Sequence, residues 1–353
     1  MKLILLFFSL FVLIKGQILP NDQLKAAKEL ISTLYGVTTD DVCNFNGFSC
    51  TQLDSNSDLA TVISLQLQSK KSLDGRGYSS DRKTINNDLT IFKDLQYIEL
   101  FDVEISSNFF YNLYKLTKLN IIHIDYHLLP LTKEFKLPES LTFISIKYFG
   151  GKVASSFFNS NLNTLDIKNS LKGFDVTNGS DIVINNKLTA LSLPIVSSNT
   201  QALFDSLGAK LKNIYRIILI LDESTTKTKK NIQIPTFKPS SFSSLKLLNI
   251  YFQTGSLEKP NFPYTINNLV GLNQIIFNSN QYTMDVSKPF IDFTKINPSL
   301  FFRATFKCEY LSSCKKKPCI KFPKKTIVSV QDCQGFDKSY VEVSHIMNKL
   351  YTV

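Results

Sequence analysis

The sequence predicts an α/β solenoid, in which stacked repeats each contribute one strand to a continuous parallel sheet. Three observations predict this fold: a short apolar pattern that recurs every 21 to 33 residues, a length of 353 residues, and cysteines confined to the two ends of the chain. A chain of this length exceeds the usual size of one globular core, whereas a repeat array has no upper limit. No linker rich in Pro, Gly or Ser marks a boundary between two domains.

The recurring pattern is Leu-x-x-Leu-x-Leu, with aliphatic residues or Phe in place of some leucines. Polar and apolar residues alternate within it, which is typical of a half-buried strand. A β-sandwich would also supply such strands, but its strands would not be spaced so widely and evenly. Residues 108–116 and 202–207 are predicted to return the chain as short helices or irregular turns, and residues 70–87 and 225–231 as loops. The ten copies begin at Val62, Leu95, Leu119, Leu141, Leu162, Leu188, Ile214, Leu245, Leu272 and Phe301.

The first sixteen residues indicate the compartment. Lys2 supplies a basic start, residues 3–14 are apolar apart from Ser9, and Lys15 closes the run. This run is shorter than the roughly 20 residues that a membrane-spanning helix needs, so a cleaved secretory signal peptide is expected, with an N-terminal membrane anchor as the alternative. No later stretch is long and apolar enough to span a membrane. We therefore expect a secreted, extracellular protein.

Six cysteines in a secreted chain favour disulfides. Cys43 and Cys50 lie near the start, and the 257 residues between Cys50 and Cys308 contain none. The cysteines near the end allow three pairings, with a structural zinc site as the alternative. They are Cys308, Cys314, Cys319 and Cys333.

The chain is basic, which favours acidic glycans, anionic surfaces or acidic proteins as partners. Without Lys2 and Lys15 of the predicted signal peptide, the formal net charge falls from +11 to +9. Six lysines around the C-terminal cysteines, between Lys315 and Lys325, form either an anion-binding patch or a solvated cap. We expect no nucleic-acid partner, because the product is secreted and carries no nucleic-acid-binding motif. Asn178 begins a glycosylation sequon.

The N-terminal region carries the most specific motif. The apolar spacing after Asp22, an expected N-cap, fits one face of a helix that ends at Gly36. The segment from Cys43 to Cys50 then has the form Cys-x-Phe-x-Gly-Phe-x-Cys, and the first repeat strand follows. This order resembles the plant-type N-terminal cap of leucine-rich-repeat proteins.

The resemblance implies a Cys43–Cys50 disulfide and a horseshoe-shaped leucine-rich-repeat solenoid with a parallel concave sheet. Phe45 stands where the family usually has Trp. The family also has an Asn three residues after the last strand Leu, where stacked side chains bridge neighbouring backbones. Here Val103, His127 and Phe149 occupy such positions, so the ladder is largely lost.

Together these patterns divide the chain into four parts. Residues 1–16 are the signal peptide, and 17–58 are the N-terminal cap. Residues 59–300 are the leucine-rich repeats, and 301–353 are the last repeat with a cysteine-bearing C-terminal cap.

In a horseshoe-shaped solenoid, ligands most often contact the outward-pointing residues of the strands on the concave side. In the N-terminal half these residues form an apolar and aromatic cluster with a charged rim, which is typical of a binding site. The alternative is that some of them belong to the core. The predicted ligand-binding residues are Tyr97, Glu99, Phe101, Ile121, His123, Asp125, Phe143 and Lys147.

Groups that could perform catalysis are scarce. His123 and His127 are four residues apart, but on a strand they need not converge on a metal, and zinc needs three or four ligands. We expect no enzymatic activity, no metal and no cofactor. The sequence predicts a binding protein that recognises an extracellular protein or peptide. Two alternatives are an inhibitor of a secreted hydrolase, since some plant-type relatives inhibit cell-wall glycanases, and adhesion to anionic glycan through the C-terminal lysines.

Overall fold

The computed structural model describes most of the chain between residues 18 and 331. The described residues are 18–55, 58–69, 82–127, 131, 133–150, 152–170, 175–177, 182–183, 187–195, 200–222, 235–253, 264–278, 291–292, 296–297, 299–307, 320–321 and 325–331. The predicted signal peptide, the predicted loop 225–231, Asn178 and the four C-terminal cysteines lie outside them.

Helix α1 (Asn21–Tyr35) covers the N-terminal end of the core, and its buried apolar face is the predicted one. The Gln23 amide nitrogen donates to Thr61 Oγ1 at 3.1 Å, and Gln23 Oε1 accepts from the Val62 N–H at 3.1 Å. The helix ends at Gly36, whose φ is +68°. The expectation for Asp22 is wrong, because the N-cap residue is Pro20, two residues earlier, and the Asp22 carboxylate accepts from the neighbouring Gln23 N–H.

The segment after α1 joins the cap to the sheet. The Cys43–Cys50 disulfide implied by the family resemblance is present. Strand β1 (Phe48–Gln52) runs antiparallel to β2 (Ala60–Gln68). Just before β1, Gly47 has φ +101°, and its carbonyl oxygen accepts from the Gln66 N–H at 2.7 Å. Glycine is required here, because a Cβ would lie 2.4 Å from the Gln66 carbonyl oxygen.

In the described part of the chain, thirteen strands form one open sheet. From β2 onward its neighbours are parallel, and the strands lie in the order in which they occur along the chain. The prediction of an α/β fold with a parallel sheet is confirmed. Besides β1 and β2, the strands of this sheet are β3 (Lys83–Ile85), β4 (Tyr97–Ile105), β5 (Ile121–His127), β6 (Phe143–Phe149), β8 (Thr164–Ser170), β10 (Ala190–Ile195), β11 (Arg216–Asp222), β12 (Leu247–Gln253), β13 (Gln274–Asn278), β15 (Phe301–Lys307) and β17 (Lys325–Gln331).

The core lies beneath one face of this sheet. In each of the eight copies from Leu95 to Leu272, the first two apolar positions of the pattern are at most about 1% exposed. Burial of these residues in every copy creates one continuous apolar interior, since no single repeat has enough surface to bury its own. The residues that alternate with these buried positions along each strand face the other side of the sheet, which we call the exposed face.

A backbone ladder joins the repeats at the starts of the strands. Each carbonyl oxygen in it accepts two N–H groups from the next repeat, at distances between 2.7 and 3.2 Å. This ladder satisfies the backbone polar groups at the starts of the strands. The seven carbonyls belong to Gln96, Asn120, Thr142, Asn163, Thr189, Tyr215 and Lys246.

His127, at one of the positions where the family has Asn, serves a similar purpose at the other ends of the strands. It is fully buried, and its Nδ1 lies 3.1 Å from the Ile105 carbonyl oxygen of the preceding repeat. Its ring contacts Phe110 and Phe149, with centroid distances of 4.7 and 5.5 Å.

The return segments are short and varied. Helix α2 (Ser107–Asn112) and helix α3 (Thr200–Lys210) fall where helical returns were expected. The predicted loop 70–87 is wrong in part, because Lys83–Ile85 pairs with the end of β4 as β3. Two small parallel sheets complete the described returns: β7 (Lys152–Ala154) with β9 (Asp175–Thr177), and β14 (Ile291–Asp292) with β16 (Ile320–Lys321). Within the described residues, 3₁₀ turns lie at Leu89–Ile91, Leu113–Lys115, Ser155–Phe157 and Tyr264–Asn268.

The sheet continues into the region predicted to hold the last repeat and the C-terminal cap. Gln274 pairs with Phe301, so the tenth copy begins two residues earlier than predicted, at Ser299. The error arose because the first position by register, Ser299, is polar, so only the frame that starts at Phe301 matched the apolar pattern. Strand β17 then adds one further parallel strand, which the repeat pattern missed.

Candidate functional site

The eight predicted binding residues lie together on the exposed face of β4, β5 and β6. Strand register places Tyr97 beside Ile121, and Ile121 beside Phe143; in the next row Glu99 lies beside His123. All eight are half-buried, whereas Ile98, Leu100 and their equivalents are buried on the opposite face. The alternative that these residues belong to the core is therefore wrong.

The His123 ring lies between two aromatic rings. Its centroid is 5.8 Å from that of Tyr97 on β4 and 4.9 Å from that of Phe143 on β6. Burial lowers the pKa of His123 from its ordinary value near 6.5, so the imidazole is neutral at neutral pH. These three strands thus present a row of uncharged rings.

Glu99 is held by neutral donors. The Tyr97 hydroxyl donates to Glu99 Oε2 at 3.1 Å, and the Gln66 amide donates to the same oxygen at 3.3 Å. Burial, and then the hydrogen bond to Glu99, raise the pKa of Tyr97, so its hydroxyl remains a donor. The carboxylate is consequently oriented before any ligand arrives.

Lys147 and Phe101 form the rim of the cluster. The Lys147 ammonium lies 5.9 Å from the Phe101 ring centroid and 5.6 Å from that of Tyr148, within cation–π range. The lysine stem thus partly covers the aromatic surface.

Asp125 has a structural contact that its position in the sequence did not reveal. Its Oδ2 accepts from the Asp102 N–H at 3.2 Å, and burial raises its pKa. Asp102 has φ +52°, and the pairing of β4 with β5 shifts between Leu100 and Glu104. Asp125 therefore caps a β-bulge.

Asp102 itself is fully buried and was not predicted. Ser69 Oγ donates to Asp102 Oδ2 at 2.8 Å, and Arg82 Nε lies 3.4 Å from Oδ1. The Arg82 guanidinium also lies 3.6 Å from the Tyr126 ring centroid, and Tyr126 stacks on Tyr148 at 4.8 Å. This network fixes the bulge next to the exposed face.

A cleft between the N-terminal cap and the exposed face was also missed. Its volume is ≈ 450 Å³, within the range of small-ligand pockets. It includes two of the predicted residues, Glu99 and Phe101. Its lining residues are Tyr35, Phe45, Asn46, Gln66, Leu67, Gln68, Glu99 and Phe101.

A second cleft of ≈ 440 Å³ lies in the return segments around Glu134 and Ser156. The Glu134 carboxylate accepts from the Ser155 and Ser156 N–H groups, at 3.3 and 2.9 Å. The Glu134 carboxylate is thus engaged in holding the turn.

The exposed face continues over β11, β12 and β13 with a different surface. Ile218, Leu247, Tyr251 and Ile276 are half-buried there. Between them, Asn249 is 6% exposed; its amide donates to the Tyr251 hydroxyl at 3.4 Å, and its Oδ1 has no hydrogen-bond partner.

His123 lies on the exposed face between Tyr97 and Phe143, whereas His127 is fully buried against Phe110 and Phe149, so the two rings do not converge. Among the described residues, no group of three His, Cys, Asp or Glu side chains has the geometry of a metal site. The predicted disulfides of Cys308, Cys314, Cys319 and Cys333 and the predicted glycosylation of Asn178 stay predictions, because these residues lie outside the described part of the chain. No described helix has the length and apolar character to cross a membrane.

No protein-family model matches the chain. The chain is similar to a Dictyostelium discoideum protein described as cell surface glycoprotein gp138B, with 26% identity over 338 residues. The match covers 92% of this chain but 43% of that relative, so the chain spans less than half of the relative's length.

Proposed function

We propose that this chain is a secreted or cell-surface leucine-rich-repeat protein that binds an extracellular protein or peptide on the N-terminal half of its exposed face. The chain-ordered parallel sheet, the buried positions of the repeat and the Cys43–Cys50 cap support the solenoid assignment. The similarity to a cell surface glycoprotein supports the location.

The observation that carries the proposal is the arrangement around Glu99 and His123. Tyr97, His123 and Phe143 offer contiguous ring surface on three adjacent strands, next to a carboxylate already oriented by two donors. Rigid aromatic groups beside a few fixed polar groups are what protein-binding surfaces use as anchors. A site already ordered before binding also loses little entropy when the ligand arrives.

A binding role fits these groups better than catalysis does. The cleft beside the face is lined by one carboxylate, three amides, three rings and one aliphatic side chain. Covalent or acid–base chemistry needs a nucleophile with an adjacent base, or two opposed titratable groups. The lining of this cleft supplies neither.

The test is a quantitative pull-down from conditioned medium and cell-surface extract. The bait is the mature protein or a variant carrying Tyr97→Ser, Phe101→Ser and Phe143→Ser. The matched control carries Leu247→Ser, Tyr251→Ser and Ile276→Ser, which removes similar ring and aliphatic surface from the other half of the same face. Circular dichroism confirms that each bait is folded.

We expect a captured protein or peptide to be lost only with the first variant, with affinity for the purified partner falling at least about tenfold. Equal capture by all three baits would place recognition away from the exposed face. Loss only with the control variant would move the site to β12 and β13. Either of these two results overturns the proposal.

A further inference from the structure

The cleft between the cap and the exposed face has a fixed shape. The Tyr35 hydroxyl of α1 accepts from the Gln68 N–H of β2 at 3.2 Å. On the other wall, the Gly47 carbonyl accepts from the Gln66 N–H at 2.7 Å, and the Cys43–Cys50 disulfide closes the segment that carries Phe45 and Asn46. Both walls are therefore tied to β2, and the opening between them exists before a ligand binds.

Among the described residues that line this cleft, Glu99 is the only acidic one, and none is basic. The partners of the Glu99 carboxylate are the Tyr97 hydroxyl and the Gln66 amide, both neutral, and within the described residues it forms no ion pair. In a chain with a net charge of +11, this half-buried acid thus has no cationic partner in the described part of the chain. A positively charged ligand group complements it.

The aromatic rings in the cleft favour a guanidinium over an ammonium as the cation that binds there. Tyr35 and Phe45 contact each other with centroids 5.2 Å apart, and Phe101 of β4 also lines the cleft. A guanidinium is planar, so it can stack on an aromatic ring and at the same time donate two hydrogen bonds to a carboxylate. An ammonium is a compact point charge and loses the stacking. The lining amide of Asn46 can then meet the backbone beside the cation.

We propose that the cleft between the N-terminal cap and the exposed face, lined by Tyr35, Phe45, Glu99 and Phe101, receives an arginine side chain of the peptide or protein ligand. The inference rests on the proposed function and names the group that the site recognises. Amides and rings also suit a neutral oligosaccharide, which would not depend on the charge of Glu99.

The test is titration calorimetry with two blocked tripeptides. One has the sequence tyrosine–arginine–tyrosine, and the other has citrulline, the neutral isostere of arginine, at its centre. Each is titrated into the mature protein, into Glu99→Gln, and into the control Glu139→Gln. Glu139 is exposed and lines the other cleft, so the control makes the same change of charge elsewhere.

We expect the arginine peptide to bind the mature protein about tenfold more tightly than the citrulline peptide, because a charge-assisted pair is worth more than a neutral hydrogen bond. Glu99→Gln should remove this preference, Glu139→Gln should keep it, and raising the salt concentration should weaken it. Equal binding of the two peptides, or a preference that survives in Glu99→Gln, overturns the inference. So does tight binding of chitopentaose or cellopentaose that is unchanged in Glu99→Gln.

A pull-down with Glu99→Gln separates this inference from the proposed function. If the serine variant of Tyr97, Phe101 and Phe143 loses the partner while Glu99→Gln captures it fully, the face binds the partner and the arginine assignment is wrong. If none of the variants alters capture while the peptide preference depends on Glu99, the cleft binds arginine and the proposed function is wrong.

Discussion

The two halves of the exposed face have the same strand geometry but differ in chemistry. Over β4, β5 and β6, Tyr97, Glu99 and His123 are joined by a hydrogen bond and by ring contacts. Over β11, β12 and β13, the positions in the row of Glu99 and His123 carry Ile218, Asn249 and Ile276, so no carboxylate or imidazole lies there. The repeat therefore fixes where a side chain points, while the side chain alone determines what it can recognise.

The halves also differ in backbone regularity. Strands β11 and β12 pair without interruption from Arg216 to Asp222. Strands β4 and β5 are interrupted by the bulge at Asp102, which is stabilised by a buried carboxylate and by Asp125. Bulges are frequent next to functional sites, because they redirect side chains at the end of a strand. The half of the exposed face over β4, β5 and β6, which we call the polar half, is thus also the half in which the backbone departs from the repeat. We call the half over β11, β12 and β13 the regular half.

The largest expected effect comes from removing the carboxylate that stabilises this bulge. Asp102→Ala leaves the Ser69 hydroxyl without its acceptor and Arg82, whose side chain is 22% exposed, without its carboxylate. We expect the free energy of unfolding to fall by about 3 kcal/mol, as for other buried ion pairs that lose one partner. Urea denaturation followed by circular dichroism measures it.

Asn249→Leu is the corresponding change in the regular half. Asn249 is nearly as buried, but its Oδ1 has no hydrogen-bond partner, so an apolar replacement removes an unsatisfied acceptor. Its stability should stay within about 1 kcal/mol of the parent protein. If both substitutions change stability equally, the bulge network is not what distinguishes the two halves.

The second-largest expected effect on stability comes from a substitution in the N-terminal cap, beside the cleft. Gly47→Ala combines a φ of +101° with a Cβ placed 2.4 Å from the Gln66 carbonyl oxygen, so the cap or β2 must shift. We expect a loss of about 2 kcal/mol or more, measured by urea denaturation under non-reducing conditions.

Gly36→Ala is the matched control for Gly47→Ala. Gly36 also has a positive φ, but a Cβ there meets nothing within 4 Å, so only the backbone penalty of about 1 kcal/mol applies. Equal losses in the two variants would mean that the close contact between position 47 and the Gln66 carbonyl oxygen does not affect the free energy of unfolding. The cleft next to the polar half would then not depend on this contact.

The sequence predicted the rows of the exposed face, because a strand has a side-chain period of two and the apolar pattern fixes which residues are buried. Register confirms the first row from Ser64 through Tyr97 to Gln274. The sequence did not predict the bulge, because a single aspartate with positive φ has no local signal inside an otherwise regular strand.

The cleft was missed for a different reason. Its walls come from α1, from the disulfide-closed segment and from β2 and β4, which meet only after the cap packs on the sheet. Tyr35 and Phe45 fall within the predicted cap, 17–58, and nothing in its sequence pattern shows which ring edges remain open. The tenth copy was shifted for a simpler reason, since its first position by register is the polar Ser299 and only the later frame matched the apolar pattern.

The smallest expected effect is a pH dependence confined to the polar half. Because burial lowers the pKa of His123 in the folded protein, the unfolded chain binds a proton more readily below about pH 6.5. The contribution of His123 to stability is therefore complete above that pH and declines as the pH falls towards the folded-state pKa. The change should stay below about 1 kcal/mol, because the side chain is half exposed.

Urea denaturation at pH 7.5 and 5.5 tests this, with His123→Gln as the comparison. The variant should lose less stability than the parent protein between these two values, and the titration of Asp125, whose pKa burial raises, is common to both proteins. Ile218, Leu247 and Ile276 do not titrate, so the regular half has no equivalent of His123 on these positions. If His123→Gln follows the parent protein at both pH values, the imidazole between Tyr97 and Phe143 is not the group that senses pH.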